Sequence, residues 1–209
     1  YPTRTEAAIM ATHGAAIAQA TRSLLPRDFA LVDLGAGDGA KAARLFEALQ
    51  PMQYVAVDIA EDFLRRSLTA LQQRHPTLPM TGVAMDFAHR LALPADVHDG
   101  EALVFYPGSS IGNFAPADAL RLLREARALS RGGAVLIGAD LVKPTGLLEA
   151  AYDDALGVTA AFNLNLLRHL NQRLGCNFDV RDWSHLARYD AVQSRIEMHL
   201  QARRVLSLR

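Results

Sequence analysis

The residues best suited to chemistry are acids and glycines at the ends of apolar runs. Asp33-Leu34-Gly35-Ala36-Gly37-Asp38-Gly39 closes the run FALVDLG. Glycines at such a turn let the backbone approach a ligand, and a following helix N-terminus favours polar or anionic groups. Asp58 closes QYVAVDI, where a carboxylate can accept hydrogen bonds from a ribose. Asp86 closes MTGVAMDF beside Phe87, where an adenine could stack and hydrogen-bond. Each feature has a plainer reading: a tight strand–helix connection for the glycines, a helix cap for each acid. The glycine spacing is GxGxG rather than the GxGxxG of dinucleotide binders, which serves a pyrophosphate less well. Three strand-end acids suit a ligand with a neutral nucleoside and a cationic centre, and S-adenosylmethionine has both. Lys41, one turn into the next helix, is either a solvated lysine or the partner of that ligand's carboxylate.

A second cluster lies in Phe105–Phe114, FYPGSSIGNF. Gly108 and Gly112 leave room for a small molecule against the backbone. Asn113 offers both a donor and an acceptor, which suits a zwitterionic amino acid, although asparagine also serves as a turn residue or cap. Ser109 and Ser110 lack the GxSxG context of a hydrolase nucleophile. The seven histidines show no HExxH and no ligand-spaced pair, so no metal is expected. Arg4 and Glu6 read as an ion pair in the first turn of a helix.

These groups must be positioned by the elements around them. Hydrophobic periodicity gives a helix over 6–25 capped by Thr5, and strands over 29–35, 53–59, 80–87, 101–107 and 134–142. Helices over 41–49, 61–74 and 115–129 alternate with these strands. Such alternation predicts a parallel sheet covered on both faces, with ligands at the carboxyl ends of the strands where the strand order reverses. After Val142 the pattern changes to helices over 145–156 and 159–174, then a strand near 194–202. This division predicts a binding core over 1–143 and a helical lid with part of a substrate region over 144–209. Phe178, Trp183 and Tyr189 read as packing residues of that lid.

The 209 residues are half hydrophobic and carry 22 basic and 22 acidic side chains. A net charge of zero with no basic run favours neither nucleic acid nor an anionic membrane. The lone Cys176 excludes an internal disulfide and fits a reducing compartment such as the cytoplasm. A monomer is expected. The opening YPTRTEA and the closing RRVLSLR, the latter read as part of a strand, suggest a piece cut from a longer product.

With YPTRTEA, DLGAGDGAK, VDI, MDF, YPGSSIGNF and AYDDALGVTAAFNLNLL in this order, the whole chain resembles the histidine Nα-methyltransferases of ergothioneine biosynthesis. The resemblance implies a Rossmann-like class I S-adenosylmethionine-dependent methyltransferase fold. It also implies three methyl transfers to L-histidine, giving trimethylhistidine (hercynine). Carried over by motif, Gly35, Lys41, Asp58, Asp86 and Phe87 would contact the cofactor, and Gly37 of the same glycine turn is expected to join them. Gly108, Asn113 and Tyr152 would hold the substrate, with Asn113 and Tyr152 as positioners in catalysis. A tyrosine that the family places just upstream would precede Tyr1, and the glutamate and serine that read the imidazole would follow Arg209. On the residues alone, a methyltransferase for another small amine, a nicotinamide oxidoreductase and a cofactor-binding module without turnover stand as rivals. The GxGxG spacing disfavours the oxidoreductase.

Overall fold

The computed structural model describes residues 2–207. The chain divides after Asp140 into two compact units, a few residues before the boundary expected from the sequence.

The first unit is built on a five-stranded, all-parallel sheet in the order β3-β2-β1-β4-β5. The strands are β1 (Ala30–Leu34), β2 (Gln53–Asp58), β3 (Met80–Ala84), β4 (Ala102–Tyr106) and β5 (Ala134–Ile137). The helices α1 (Pro2–Arg22), α2 (Ala40–Leu49), α3 (Glu61–Arg74) and α4 (Pro116–Ser130) alternate with them. Every residue of β1 and β4 is buried. That is why both strands read as unbroken apolar runs: each face of a central parallel strand is covered.

Alternation along each strand divides the core in two. Leu31, Leu103 and Phe105 face one cluster, closed by Leu45, Phe46 and Leu49 of α2 and Leu64 and Leu71 of α3. Val32, Leu34, Val55, Val57, Val104 and Tyr106 face the other, closed by Leu122 and Ala126 of α4. The order reverses between β1 and β4, so the loops after these two strands diverge and leave a crevice at the carboxyl edge. This is the Rossmann-like class I methyltransferase topology.

Several boundaries differ from the sequence reading. Thr5 does not cap α1, which begins at Pro2 and includes it. β3 stops at Ala84, so Asp86 and Phe87 lie in a loop. There the Ala88 N–H donates to Asp86 Oδ1 at 3.0 Å, a local turn that draws the backbone out of the ladder. β5 stops at Ile137, because the Gly138 N–H still reaches Tyr106 O but the Asp140 N–H turns to Ser109 Oγ.

The second unit holds α5 (Thr145–Tyr152), α6 (Val158–Leu174) and an antiparallel hairpin of β6 (Trp183–Asp190) and β7 (Arg195–Ala202). Asp154 accepts from the Val158 and Thr159 N–H groups at 3.2 and 2.8 Å, starting α6. Those two donors and the Thr159 side chain lower its pKa to about 2. β6 is not evident in the sequence: its inward residues include His185 and Ala187 where β-branched residues would mark a strand. His185 is nonetheless enclosed, with Asn163 Nδ2 3.0 Å from Nδ1 and Tyr152 O 2.8 Å from Nε2. Trp183 packs edge-on to Phe178 at 5.7 Å. Arg203–Ser207 is not strand, and the rest of the closing segment, like Tyr1, lies outside the described residues.

Candidate functional site

The glycine turn after β1 requires the conformations its residues supply. Gly35, Gly37 and Gly39 have φ of 71°, 56° and 69°, a region that residues with a Cβ rarely enter. A Cβ on Gly39 would lie 2.9 Å from Leu71 and 3.1 Å from the Tyr54 hydroxyl. A Cβ on Gly37 would meet nothing within 4 Å, so this turn faces open space. The Gly35 and Ala36 N–H groups donate to Val57 O, which binds the turn to the end of β2.

Asp58 stands at that junction. Its Oδ2 accepts from the Gly37 N–H and its Oδ1 from the Ala60 N–H, both at 3.0 Å. Asp38 and Asp86 also accept from the N–H two residues on. The capping reading of these acids is therefore real, yet a carboxylate has about four lone-pair sites and is not exhausted by it. Asp86 is exposed and additionally lies 2.7 Å from His89 Nδ1, a contact that lowers its pKa. Phe87 turns back toward the glycine turn: a Cβ on Gly35 would lie 3.8 Å from its ring. The same ring packs edge-on to Tyr106 at 5.7 Å. Gly35, Gly37, Asp58, Asp86 and Phe87 thus gather along one edge of the sheet.

Behind the turn lies Asp33, 1 % exposed. The Tyr54 hydroxyl donates to its Oδ2 at 2.8 Å, while its Oδ1 is buried without a hydrogen-bond partner. Burial raises its pKa to about 7 against the lowering effects of the Tyr54 hydrogen bond and the Lys41 charge. Burial and the Asp33 charge in turn push the Tyr54 hydroxyl upward.

On the other side of Lys41 a cavity of about 500 Å³ opens, within the range of small-molecule sites. Its wall includes Glu6 of α1, Lys41 of α2, Gly108 and Ser109 after β4, and Gly138 and Asp140 after β5. Gly108 has φ 84° and Ser109 φ 56°. A serine in that region is uncommon, and its Oγ is fixed as the acceptor for the Asp140 N–H at 2.8 Å. Glu6 was read as the partner of Arg4. Its carboxylate instead lies 2.5 Å from Lys41 Nζ and accepts from the Gly108 N–H at 2.5 Å.

The structure therefore brings Lys41 and Gly108 to one cavity wall and adds Glu6. Asn113 closes the short 3-10 turn Ser110–Asn113, is exposed, and is not part of that wall. Tyr152 ends α5 in the second unit. No feature of the sequence could pair Glu6 with Lys41, because nothing local links a first-turn acid to a lysine on the next helix. The arrangement fits a nucleoside–sulfonium ligand: a glycine turn facing open space, carboxylates beside it, and a buried carboxylate oxygen with no donor. Among the described residues no cluster of His, Cys, Asp and Glu is placed to hold a metal ion, and no helix is long and apolar enough to cross a membrane.

A histidine N-alpha-methyltransferase of Mycolicibacterium smegmatis is 39% identical over 97% of this chain and 63% of its own length. Ergothioneine biosynthesis protein 1 of Neurospora crassa is 29% identical over 90% of this chain and 22% of its own. An Aspergillus fumigatus N-methyltransferase, fsqC, is 31% identical over 86% of this chain and half of its own. The chain thus spans less than two thirds of the curated relatives it matches. The model of the histidine-specific, S-adenosylmethionine-dependent methyltransferases matches residues 1–209, and to that family the chain belongs.

Proposed function

We propose that the protein containing this chain methylates the α-amino group of L-histidine, using S-adenosylmethionine, to give trimethylhistidine for ergothioneine biosynthesis. The observation that carries the reading is the cavity where the Gly108–Ser109 loop meets Lys41, a pocket of small-molecule size adjoining the glycine turn.

When bound, S-adenosylmethionine supplies an electrophilic methyl group on a sulfonium centre. The chain's part is to bind and align. Gly35 and Gly37 admit the ligand to the backbone, Asp58 accepts from ribose hydroxyls, and Asp86 with Phe87 holds the adenine. Lys41 meets the methionine carboxylate. Gly108 leaves room for the substrate amine, and Asn113 binds the amino-acid group. Tyr152 is assigned to the substrate's carboxylate end by its motif. The amine attacks as the neutral base; a peptide-like α-amino group has a pKa of about 8, and that of a free amino acid is higher. Alignment and ordinary deprotonation then suffice without a dedicated strong base, because holding nucleophile and methyl in line supplies much of the rate. Successive transfers need space around nitrogen, which the glycine-rich loop provides. The protein acts on a small molecule as a monomer in the cytoplasm.

The test is mass spectrometry of a free amino-acid panel incubated with S-adenosylmethionine and the protein at its natural length. Histidine should gain up to three methyl groups. A different amine gaining methyl instead would leave the methyltransferase chemistry and remove the substrate, and fsqC shows that N-methyltransferases of other names share this sequence pattern. In the same assay Asn113→Ala should lower kcat/KM for histidine by about 100-fold, the scale of a lost positioning contact. Unchanged turnover would remove Asn113 from the site.

A further inference from the structure

Glu6 is a charged residue of the cavity wall to which neither the motifs nor the resemblance assigns a role in the site. It comes from α1, yet its side chain is only 19% exposed and lies at the carboxyl edge of the sheet, where Oε2 is buried without a hydrogen-bond partner and has the Lys41 ion pair as its polar contact. Oε1 accepts from the Gly108 N–H, and Oε2 faces the Lys41 ammonium. The glycines around it are shaped to this carboxylate. A Cβ on Gly138 would lie 2.9 Å from Glu6 Oε1 and 3.3 Å from the Gly108 nitrogen. A Cβ on Gly108 would lie 3.3 Å from Lys41 Nζ. Three separate elements, α1, α2 and the loop after β4, are thus joined through one side chain.

We infer that Glu6 is a positioning residue whose carboxylate fixes the Lys41 ammonium and the Gly108 loop so that the lysine is presented to the carboxylate of the cofactor. This rests on the reading of Lys41 as the cofactor's partner. A lysine side chain is a point charge on a flexible four-carbon stem, and an untethered one loses its rotamer freedom on meeting a ligand. Glu6 takes up that freedom beforehand. An ammonium has three donors, so one carboxylate partner leaves others for a second. Glu6 therefore acts on the cofactor only through Lys41.

A residue that acts through another shows non-additive effects when both are changed. The probe is S-adenosylhomocysteine, which carries the same carboxylate without the sulfonium charge, titrated by calorimetry into the protein at its natural length. Glu6→Gln keeps an acceptor for the Gly108 N–H and removes the charge facing Lys41. It should weaken binding about five- to tenfold in the presence of Lys41 and less than twofold in a Lys41→Met background, with an unchanged melting temperature. Glu6→Asp, one methylene shorter, should show a similar loss for lack of reach. Equal weakening in both backgrounds, or none beside a lysine whose own removal weakens binding, overturns the role of Glu6. If Lys41→Met leaves affinity unchanged, the reading of Lys41 falls, and the inference with it.

Discussion

Asp33 is a residue whose chemistry its surroundings alter strongly. Burial holds its carboxyl near pKa 7, against an ordinary 3.8, so the folded chain retains a proton there that the unfolded chain has lost. Between those values the folded state binds more protons than the unfolded one, and the contribution of Asp33 to stability falls as pH rises. Below about 4 the group is protonated in both states, and above about 7 it is ionised in both. Denaturant unfolding of Asp33→Asn beside the parent should show the difference growing in favour of the variant across that window, by at most about 1.4 kcal/mol per pH unit. A difference independent of pH would mean that Asp33 ionises freely in the fold. The sequence showed Asp33 as a strand-end acid. Its burial was legible only from the run around it, and its Tyr54 partner not at all, since that contact crosses between neighbouring strands.

At the scale of elements, the glycines divide into those that serve the fold and those that serve the site. Gly133 immediately precedes β5, and a Cβ there would collide with the carbonyl oxygen of Ala102. Backbone cannot yield as a side-chain tip can, so Gly133→Ala should cost about 3 kcal/mol, measured by urea unfolding. Gly138 immediately follows the same strand, but its tightest neighbour is the tip of Glu6. Gly138→Ala should therefore leave stability within about 1 kcal/mol and displace Glu6 from Gly108. The expected result is a roughly tenfold loss of kcat/KM, since small misplacements are costly in an aligned reaction. If Gly138→Ala instead unfolds the protein and keeps full activity per folded molecule, the site role is wrong. In the sequence Gly133 reads as the end of the preceding helical unit, and Gly138 falls inside the strand expected over 134–142. The strands, by contrast, were legible within a few residues wherever both faces are buried, and β6 was missed where its inward positions are filled by histidine and alanine.

For the whole molecule, the division after Asp140 leaves the expected cofactor residues, with Gly108 and Asn113, in the first unit and Tyr152 in the second. Both hydrophobic clusters and every residue assigned here to the cofactor belong to the first unit. Residues 1–140 alone should therefore unfold cooperatively and bind S-adenosylhomocysteine within about tenfold of the affinity of the complete protein, a difference of about 1.4 kcal/mol. A folded fragment that binds nothing would show that the cofactor site draws on residues beyond Asp140. Methyl transfer is expected to need the second unit, where Tyr152 lies.

By itself the sequence determined the alternation of buried strands and amphipathic helices, hence a parallel sheet with its site at the carboxyl edge. It also determined the glycine turn and the acids beside it, because local backbone needs and hydrophobic periodicity are written in neighbouring residues. Only the tertiary structure decided which distant groups meet. Strand order set β1 beside β4 and opened the crevice between their loops. Packing placed the Tyr54 hydroxyl on Asp33, and α1 carried Glu6 to Lys41 and Gly108. These contacts depend on how whole elements pack across the core, and short-range patterns carry no record of that distance.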